Sequence, residues 1–366
     1  MRVLFYLGDK QWSGCARAML AAARGLNARG HPIIVAGCEG GRLGERAQEA
    51  GLDVVTINTA VTSGGGVWDL RKVLHERFVE VVVVTTELDQ LIVSSAMRLA
   101  ERGAVLRRVA SFDRFELQRG GKLALKIATA GLIVSTDREL KAINHAGWPI
   151  PASVVPIGVD ASTYDAVEPA TRADIGAHPQ GLLIACSYNT AGRYRIATVF
   201  RTLSLLAPRH PNMQVVVVGP GSLEEDLRMH AAAVGVSRVF TFLGERDDEL
   251  SVMRAADVGW VAAEGDSGAY GCLDFMGLHM AVIAERSPLT QHFVADGISG
   301  LLLSPGDPSY TASEVAEFLA GAEKRITMGN AGRTRVQRDF TETAMIDAFE
   351  RAVEAAGNRT TWTTSA

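Results

Sequence analysis

Apolar residues in this chain fall in short, nearly unbroken runs, and between the runs they recur at helical spacing. Residues 2–6 form the first run; after a Gly/Ser loop at 8–14, Ala16, Met19, Leu20, Ala23 and Leu26 follow one another at one- to three-residue steps. Gly30 closes that predicted helix before the next run at 33–36. Runs at 54–57, 79–85, 106–111 and 132–135 continue the series, with helical stretches at 70–78 and 88–101 between some of them. Short apolar strands alternating with helices predict a parallel sheet covered on both faces.

The rhythm then starts afresh. Residues 161–181 are polar and small, carry Pro169, Gly176 and Pro179, and read as a linker with room for a short helix. Strands are predicted at 182–186, 214–218, 239–243 and 258–262, with helices at 196–206, 223–234 and 248–255. A last helical pattern covers 342–355, and a polar tail at 357–366 is expected to fray. The pattern therefore predicts two doubly wound α/β domains. Their ligands should lie beyond the carboxyl ends of the strands, in a cleft between the domains.

Length agrees with two domains, because 366 residues exceed what one hydrophobic core usually supports. A formal net charge of −4 supplies no chain-wide attraction to nucleic acid. Cys15, Cys38, Cys186 and Cys272 lie far apart with no CxxC or Cys/His cluster, so neither a zinc site nor a disulfide framework is expected, and reduced thiols of a cytoplasmic protein are the simpler reading. The N-terminus meets charge too soon for a signal segment and no run of about 18 apolar residues occurs, which leaves peripheral contact with a membrane open but predicts no span.

Several residues carry candidate chemistry. Asp266 and Asp274 stand eight apart among glycines and small residues, a spacing that suits a loop touching a ligand and then starting a helix, with Asp274 alternatively a helix cap. The run from 215 to 221, VVVVGPG, is a strand entering a turn at Gly219 and Gly221, where backbone comes close to a ligand or simply turns tightly. Arg193 and Arg195 lie between a strand and a helix, where guanidinium groups meet phosphates or merely face solvent. Asp113 follows another strand as a general base, a sugar-hydroxyl acceptor or a cap, and His292 reads as a packing residue without metal partners.

These segments, in this order, resemble the retaining glycosyltransferases of the GT-B fold, the large family numbered four among them. The opening MRVLFYLGDKQWSGCARAMLAAARGLNARGHPIIVAG is similar to the family's first strand, glycine loop and helix ending in RGH. GLIVSTDRELKAINHAGWPIPASVVPIGVD resembles the end of its first domain, and the stretch from MQVVVVGPG to VAAEG its strand, glycine turn and FLG segment. VADGISGLLLSPGD closely matches the block DG-x-x-G-L-L-x-x-P-x-D.

The resemblance implies an α/β protein of two Rossmann-like domains: 1–160 for the acceptor, 161–180 as linker, 181–340 for the donor, and a helix at 341–356 crossing back to the first domain. It implies a nucleotide-diphosphate sugar as donor substrate, a hydroxyl acceptor, retention of configuration, and no cofactor or bound metal. Asp266 and Asp274 fall on the family's paired glutamates, Asp266 toward the donor sugar and Asp274 toward the ribose, with Asp113 on the acceptor side. Gly268, Ala269 and Tyr270 fall where backbone N–H groups meet the donor phosphates. Arg193 falls near the phosphate-binding lysine, Arg246 near the nucleobase segment, and Gly14, Gly219 and Gly221 in the glycine turns. Departures are the two aspartates for glutamates, Tyr188 for an arginine, Phe112 for a histidine and Ile157 for an asparagine. They keep a rival reading in view, a catalytically silent sugar- or nucleotide-binding relative, beside a third, a sugar-nucleotide epimerase.

Overall fold

The structure, a computed structural model, describes residues 1–57, 65–110, 129–147, 150–219, 224–304 and 306–359. The chain divides into two compact units, Met1–Gly158 with Glu342–Ala366, and Val159–Thr341. Each unit holds one parallel sheet, as the alternation of strands and helices predicts.

In unit 1 the seven strands β1 (Val3–Leu7), β2 (Ile33–Gly37), β3 (Asp53–Thr56), β4 (Val81–Val84), β5 (Ala104–Arg108), β6 (Thr129–Val134) and β7 (Ala152–Val154) run in the order β3-β2-β1-β4-β5-β6-β7. β1 (Val3–Leu7) and β4 (Val81–Val84) lie side by side at its centre and are buried throughout. In unit 2 the strands β8 (Leu183–Ser187), β9 (Gln214–Val218), β10 (Phe240–Gly244), β11 (Val258–Val261), β12 (Val282–Glu285) and β13 (Gly300–Leu303), in the order β10-β9-β8-β11-β12-β13, repeat the same winding. There β8 (Leu183–Ser187) and β11 (Val258–Val261) are the central neighbours, again fully buried. In both sheets successive strands progress outward in opposite directions from the central pair, so each unit has one topological switch point, the place where doubly wound sheets open a ligand crevice. Strands such as VVVV and LIACS carry no polar face because helices cover both sides of the sheet.

The 161–181 stretch is folded into unit 2. Its first turn, Ala161–Tyr164, is a 3₁₀ helix capped by Asp160, and Tyr164 and Ile175 are each 1% exposed. Two buried apolar anchors are what the composition-based linker reading missed. His292 is a packing residue, its ring edge-on to Phe293 and near Phe340.

The helix α13 (Glu342–Gly357) belongs to unit 1, where Met345, Ile346, Phe349 and Val353 join the core around β1 and the helix α1 (Gly14–Ala28). Gly25 of α1 makes room, since a Cβ there would stand 2.2 Å from Ile346. A polar clasp holds the outer edge. Glu350 accepts from Arg29 and meets the His31 ring nitrogen at 2.9 Å, and Arg29 also pairs with Asp347. The Glu350 carboxyl is held below the usual carboxylate range, by His31 first and Arg29 second. A depressed folded-state pKa adds stability that is present above the ordinary glutamate range, near about 4.3, and lost as the pH falls through the folded value. Glu350→Gln should therefore lower the thermal midpoint relative to the parent protein at pH 7. The gap should close on acidification below the ordinary glutamate range, measured by circular dichroism melts across pH.

Candidate functional site

The sequence places small residues and an unusual density of glycine between residues 263 and 277, and the structure folds them as a helix, α9 (Gly265–Gly277), not as a loop that later becomes one. (Helices in unit 2 are α6, Arg193–Leu206; α7, Glu224–Ala233; α8, Glu249–Arg254; and α9; α2 to α5 are Arg42–Glu49, Gly65–Glu76, Glu87–Ala100 and Asp137–His145 of unit 1.) Glycine disfavours helix by about 1 kcal/mol per residue relative to alanine, so packing has overridden propensity here. The cause lies at the sheet. Phe275 of α9 presses on Gly259 of β11, where a Cβ would stand 2.2 Å from the ring, and Gly271 sits over Ser187 of β8 and Gly268 over the Ala263 carbonyl in the same way. The helix lies closer to the sheet than side chains would permit.

This changes the geometry of the carboxylate pair. Asp266 lies in the first turn of α9 and Asp274 near its end, both 3% exposed. Eight helical residues separate them by about 12 Å along the axis and about 80° around it. Asp274 is not a cap; it accepts a 2.7 Å hydrogen bond from the Tyr164 hydroxyl, and the Tyr164 ring packs on Gly277. Arg333 closes the other side, bonding Asp165 and the carbonyls of Ala161 and Gly277. Tyr164 had no signal in the sequence, because it lies in the stretch read as linker.

Asp266 stands at the switch point, where the segments after β8 and β11 are tied together. The amide of Asn189 does the tying: its Oδ1 accepts the N–H groups of Gly192 and Glu264, each at 3.0 Å, and its Nδ2 donates to the Glu264 carbonyl at 2.9 Å. Gly192 lies so near that a Cβ would stand 1.8 Å from the Ala262 carbonyl oxygen. Sequence reasoning passed over Asn189, though an asparagine directly after a strand and before a glycine turn is the available signal.

The N-termini of α6 and α9 follow the two central strands. Neither is capped by a side chain, in contrast to α4 behind Thr86 and α5 behind Thr136. Helix N-termini carry partial positive charge and present N–H groups to anions. The two arginines of the first turn of α6 divide. Arg195 is braced between Glu264 at 3.1 Å and Glu285 at 3.5 Å, whereas Arg193 is exposed, forms no ion pair among the described residues, and leans on the Tyr194 ring. Gly268, Ala269 and Tyr270 lie inside α9, and the Gly268 N–H donates to the Glu264 carbonyl at 3.2 Å. The turn formed by Gly265, Asp266 and Ser267 is the part of α9 that opens onto the switch point.

Gly219 ends β9 (Gln214–Val218) against Tyr188, with a Cβ position only 2.3 Å from the Tyr188 carbonyl oxygen. Together with Phe242, Gly244, Glu224 and Leu227 they line a shallow open recess. The Tyr188 hydroxyl is buried there with no hydrogen-bond partner among the described residues, and burial raises its pKa. Arg246, past the end of β10 (Phe240–Gly244), is held bidentately by Asp248 at 2.7 and 2.8 Å. Gly14 opens α1 in unit 1 behind the Ser13 cap. Asp113, Phe112 and Gly221 lie outside the described residues. No group of three or more metal-ligating side chains occurs among the described residues.

Comparison with known proteins relates this geometry to a family. Residues 170–335 match the family model for glycosyl transferases group 1. A D-inositol 3-phosphate glycosyltransferase of Corynebacterium jeikeium is 28% identical over 246 residues, covering 62% of this chain and 58% of that protein. The lipopolysaccharide core biosynthesis glycosyltransferase LpsE of Rhizobium meliloti is 26% identical over 158 residues, 43% of this chain and 46% of its own length. The chain thus spans about half the length of these relatives. Among solved structures, HepE of Anabaena in complex with UDP and glucose superposes with a TM-score of 0.81 at 16% identity, over 97% of this chain and all of that one. Sucrose-phosphate synthase from Thermosynechococcus elongatus gives 0.77 at 16% identity, over 97% of this chain and 98% of that one. Residues 170–335 are thus similar to the group 1 glycosyl transferases, within a two-unit fold shared with GT-B glycosyltransferases.

Proposed function

We propose that this protein transfers a sugar from a nucleotide-diphosphate sugar to a hydroxyl acceptor, with retention of anomeric configuration and without a metal ion. The observation that carries the reading is the anion seat at the switch point of unit 2: two helix N-termini without side-chain caps, locked together by Asn189, with exposed Arg193 beside them. Charge on a departing diphosphate grows as the bond to the sugar breaks, and fixed dipoles plus one guanidinium stabilise that growth without reorganising. Asp266 at the same turn faces the sugar. The acceptor hydroxyl adds to the anomeric carbon from the side the diphosphate leaves, and its proton passes to the departing phosphate oxygen. The recess between Tyr188 and Phe242 receives the base.

The aspartate-for-glutamate pair, together with the commitment of Asp274 to Tyr164, also supports a second reading, a nucleotide-sugar binder that does not transfer. The two diverge in one experiment. Incubation with nucleotide hexoses should release nucleoside diphosphate with EDTA present, Asp266→Asn should abolish release, and the product should keep the donor's anomeric configuration by proton NMR. Binding without release in the parent protein would establish the silent reading. Arg193→Ala should weaken nucleoside diphosphate binding by roughly ten- to a hundredfold in calorimetry, the range for a lost charge-assisted hydrogen bond. The transferase and binder readings both fail if no nucleoside diphosphate or nucleotide sugar binds the parent protein.

Tyr164→Phe separates the structural part of Asp274 from any ligand part. Removing the hydroxyl leaves a carboxylate oxygen buried without this donor, at a cost of about 1–3 kcal/mol. Chemical denaturation should show that loss, and nucleoside diphosphate affinity should stay within about threefold if Asp274 serves mainly to anchor α9.

A further inference from the structure

The switch point of unit 1 contains a carboxylate that its own helix uses only in part. Asp89 occupies the third position of α4, behind the Thr86 cap, whose hydroxyl accepts the Asp89 N–H at 3.0 Å. The same Thr-x-x-acid spacing at Thr136 and Glu139 closes a reciprocal capping box, in which the acid turns back to the cap's N–H at 3.0 Å. Asp89 instead reaches across from β4 to the end of β1. Its Oδ1 accepts the Gly8 N–H at 3.2 Å, and the backbone comes this near because Gly8 has no Cβ, which would stand 2.8 Å from that oxygen.

The other oxygen, Oδ2, is buried and has no hydrogen-bond partner among the described residues, on a side chain only 3% exposed. Thr85, the residue before the cap and 6% exposed, has an Oγ1 in the same condition. A buried acceptor left without a donor costs about 1–3 kcal/mol, so its retention in a well-packed sheet end asks for a reason. Tying the β1 loop to α4 needs Oδ1 alone and does not account for Oδ2. The carboxyl lies between the carboxyl ends of β1 and β4, where the sheet changes direction and a doubly wound domain opens its crevice. Burial, the largest influence, raises its pKa against the lowering by Thr86 and Gly8, and a hydroxyl donor brought to Oδ2 restores part of the hydrogen bonding lost with water.

We propose that Asp89 binds the acceptor: its Oδ2 takes a hydroxyl of a neutral, polyhydroxylated molecule seated at the switch point of unit 1. This rests on the transferase reading for calling the ligand an acceptor, but the binding itself does not depend on unit 2.

The test uses the full chain and a panel of neutral hexoses, pentoses and cyclitols, read by saturation-transfer NMR, with nucleoside diphosphate calorimetry run in parallel. At least one probe should bind the parent protein. Asp89→Asn, which keeps the bond to Gly8 and offers an amide to a hydroxyl, should bind it within about threefold, whereas Asp89→Leu should lose tenfold or more. Nucleoside diphosphate affinity should be unchanged in both, which also reports that the variants are folded. Equal probe binding by Asp89→Leu and the parent overturns the proposal, as does absence of binding by every probe to the parent. Where Asp89→Leu fails to fold, loss of probe binding by folded Asp89→Asn of tenfold or more overturns it, and retention supports it. Failure of the nucleotide arm with the probe arm intact removes the transferase reading and leaves the Asp89 site standing.

Discussion

The near contact of α9 with the second sheet is the constraint from which the candidate site follows. The Phe275 ring lies on Gly259, the Ser187 hydroxyl on Gly271 and the Ala263 carbonyl on Gly268, so the helix axis is set at three glycines that leave no room for a Cβ. Close-packed interiors do not accommodate an added methyl at such points without moving a helix or a strand. That spacing puts the first turn of α9 beside the first turn of α6, within reach of the single amide of Asn189. It also carries Asp274 to the far end of the helix, where Tyr164 receives it.

Charge is arranged on that frame in two ways. Arg195, flanked by Glu264 and Glu285, is a brace whose charge is met within the fold. Arg193, two residues earlier and so on a different face of the helix, keeps its charge for solvent or ligand. A half-buried arginine between two acids has little left to offer an anion, while an exposed one beside two helix N-termini has a field to add to. The same distinction applies to Arg246, whose bidentate hold on Asp248 keeps that carboxyl below its ordinary range.

The two sheets share one winding, and their switch points solve a common problem with different chemistry. In unit 2 a neutral amide joins the loops after the central strands. In unit 1 a carboxylate does so through Gly8, with one oxygen left over. An amide bridging three backbone groups is satisfied and structural. A carboxylate with a spare buried oxygen is not, which is why the physical question of function attaches to Asp89 and not to Asn189.

The alternation of apolar runs and helical spacing was enough to place both sheets, because strands buried on two faces, such as VVVV at Val81–Val84, have no polar positions to obscure them. It was also enough to bring out Asp266, Arg193 and the glycine turn at Gly219 as positions after strands. Three things escaped it. The glycines around Asp266 argued for a loop by propensity, and only the sheet they pack on makes them a helix; Tyr164 and Asn189 act through partners 110 and 75 residues away; and Arg193 and Arg195 are alike until Glu264 and Glu285 fold against one of them. The sequence by itself determined the order of strands and helices and the residues that follow them, since these depend on local periodicity. Tertiary structure alone decided which carboxylates and cations are already satisfied, because that depends on groups distant in the chain being brought within hydrogen-bonding distance.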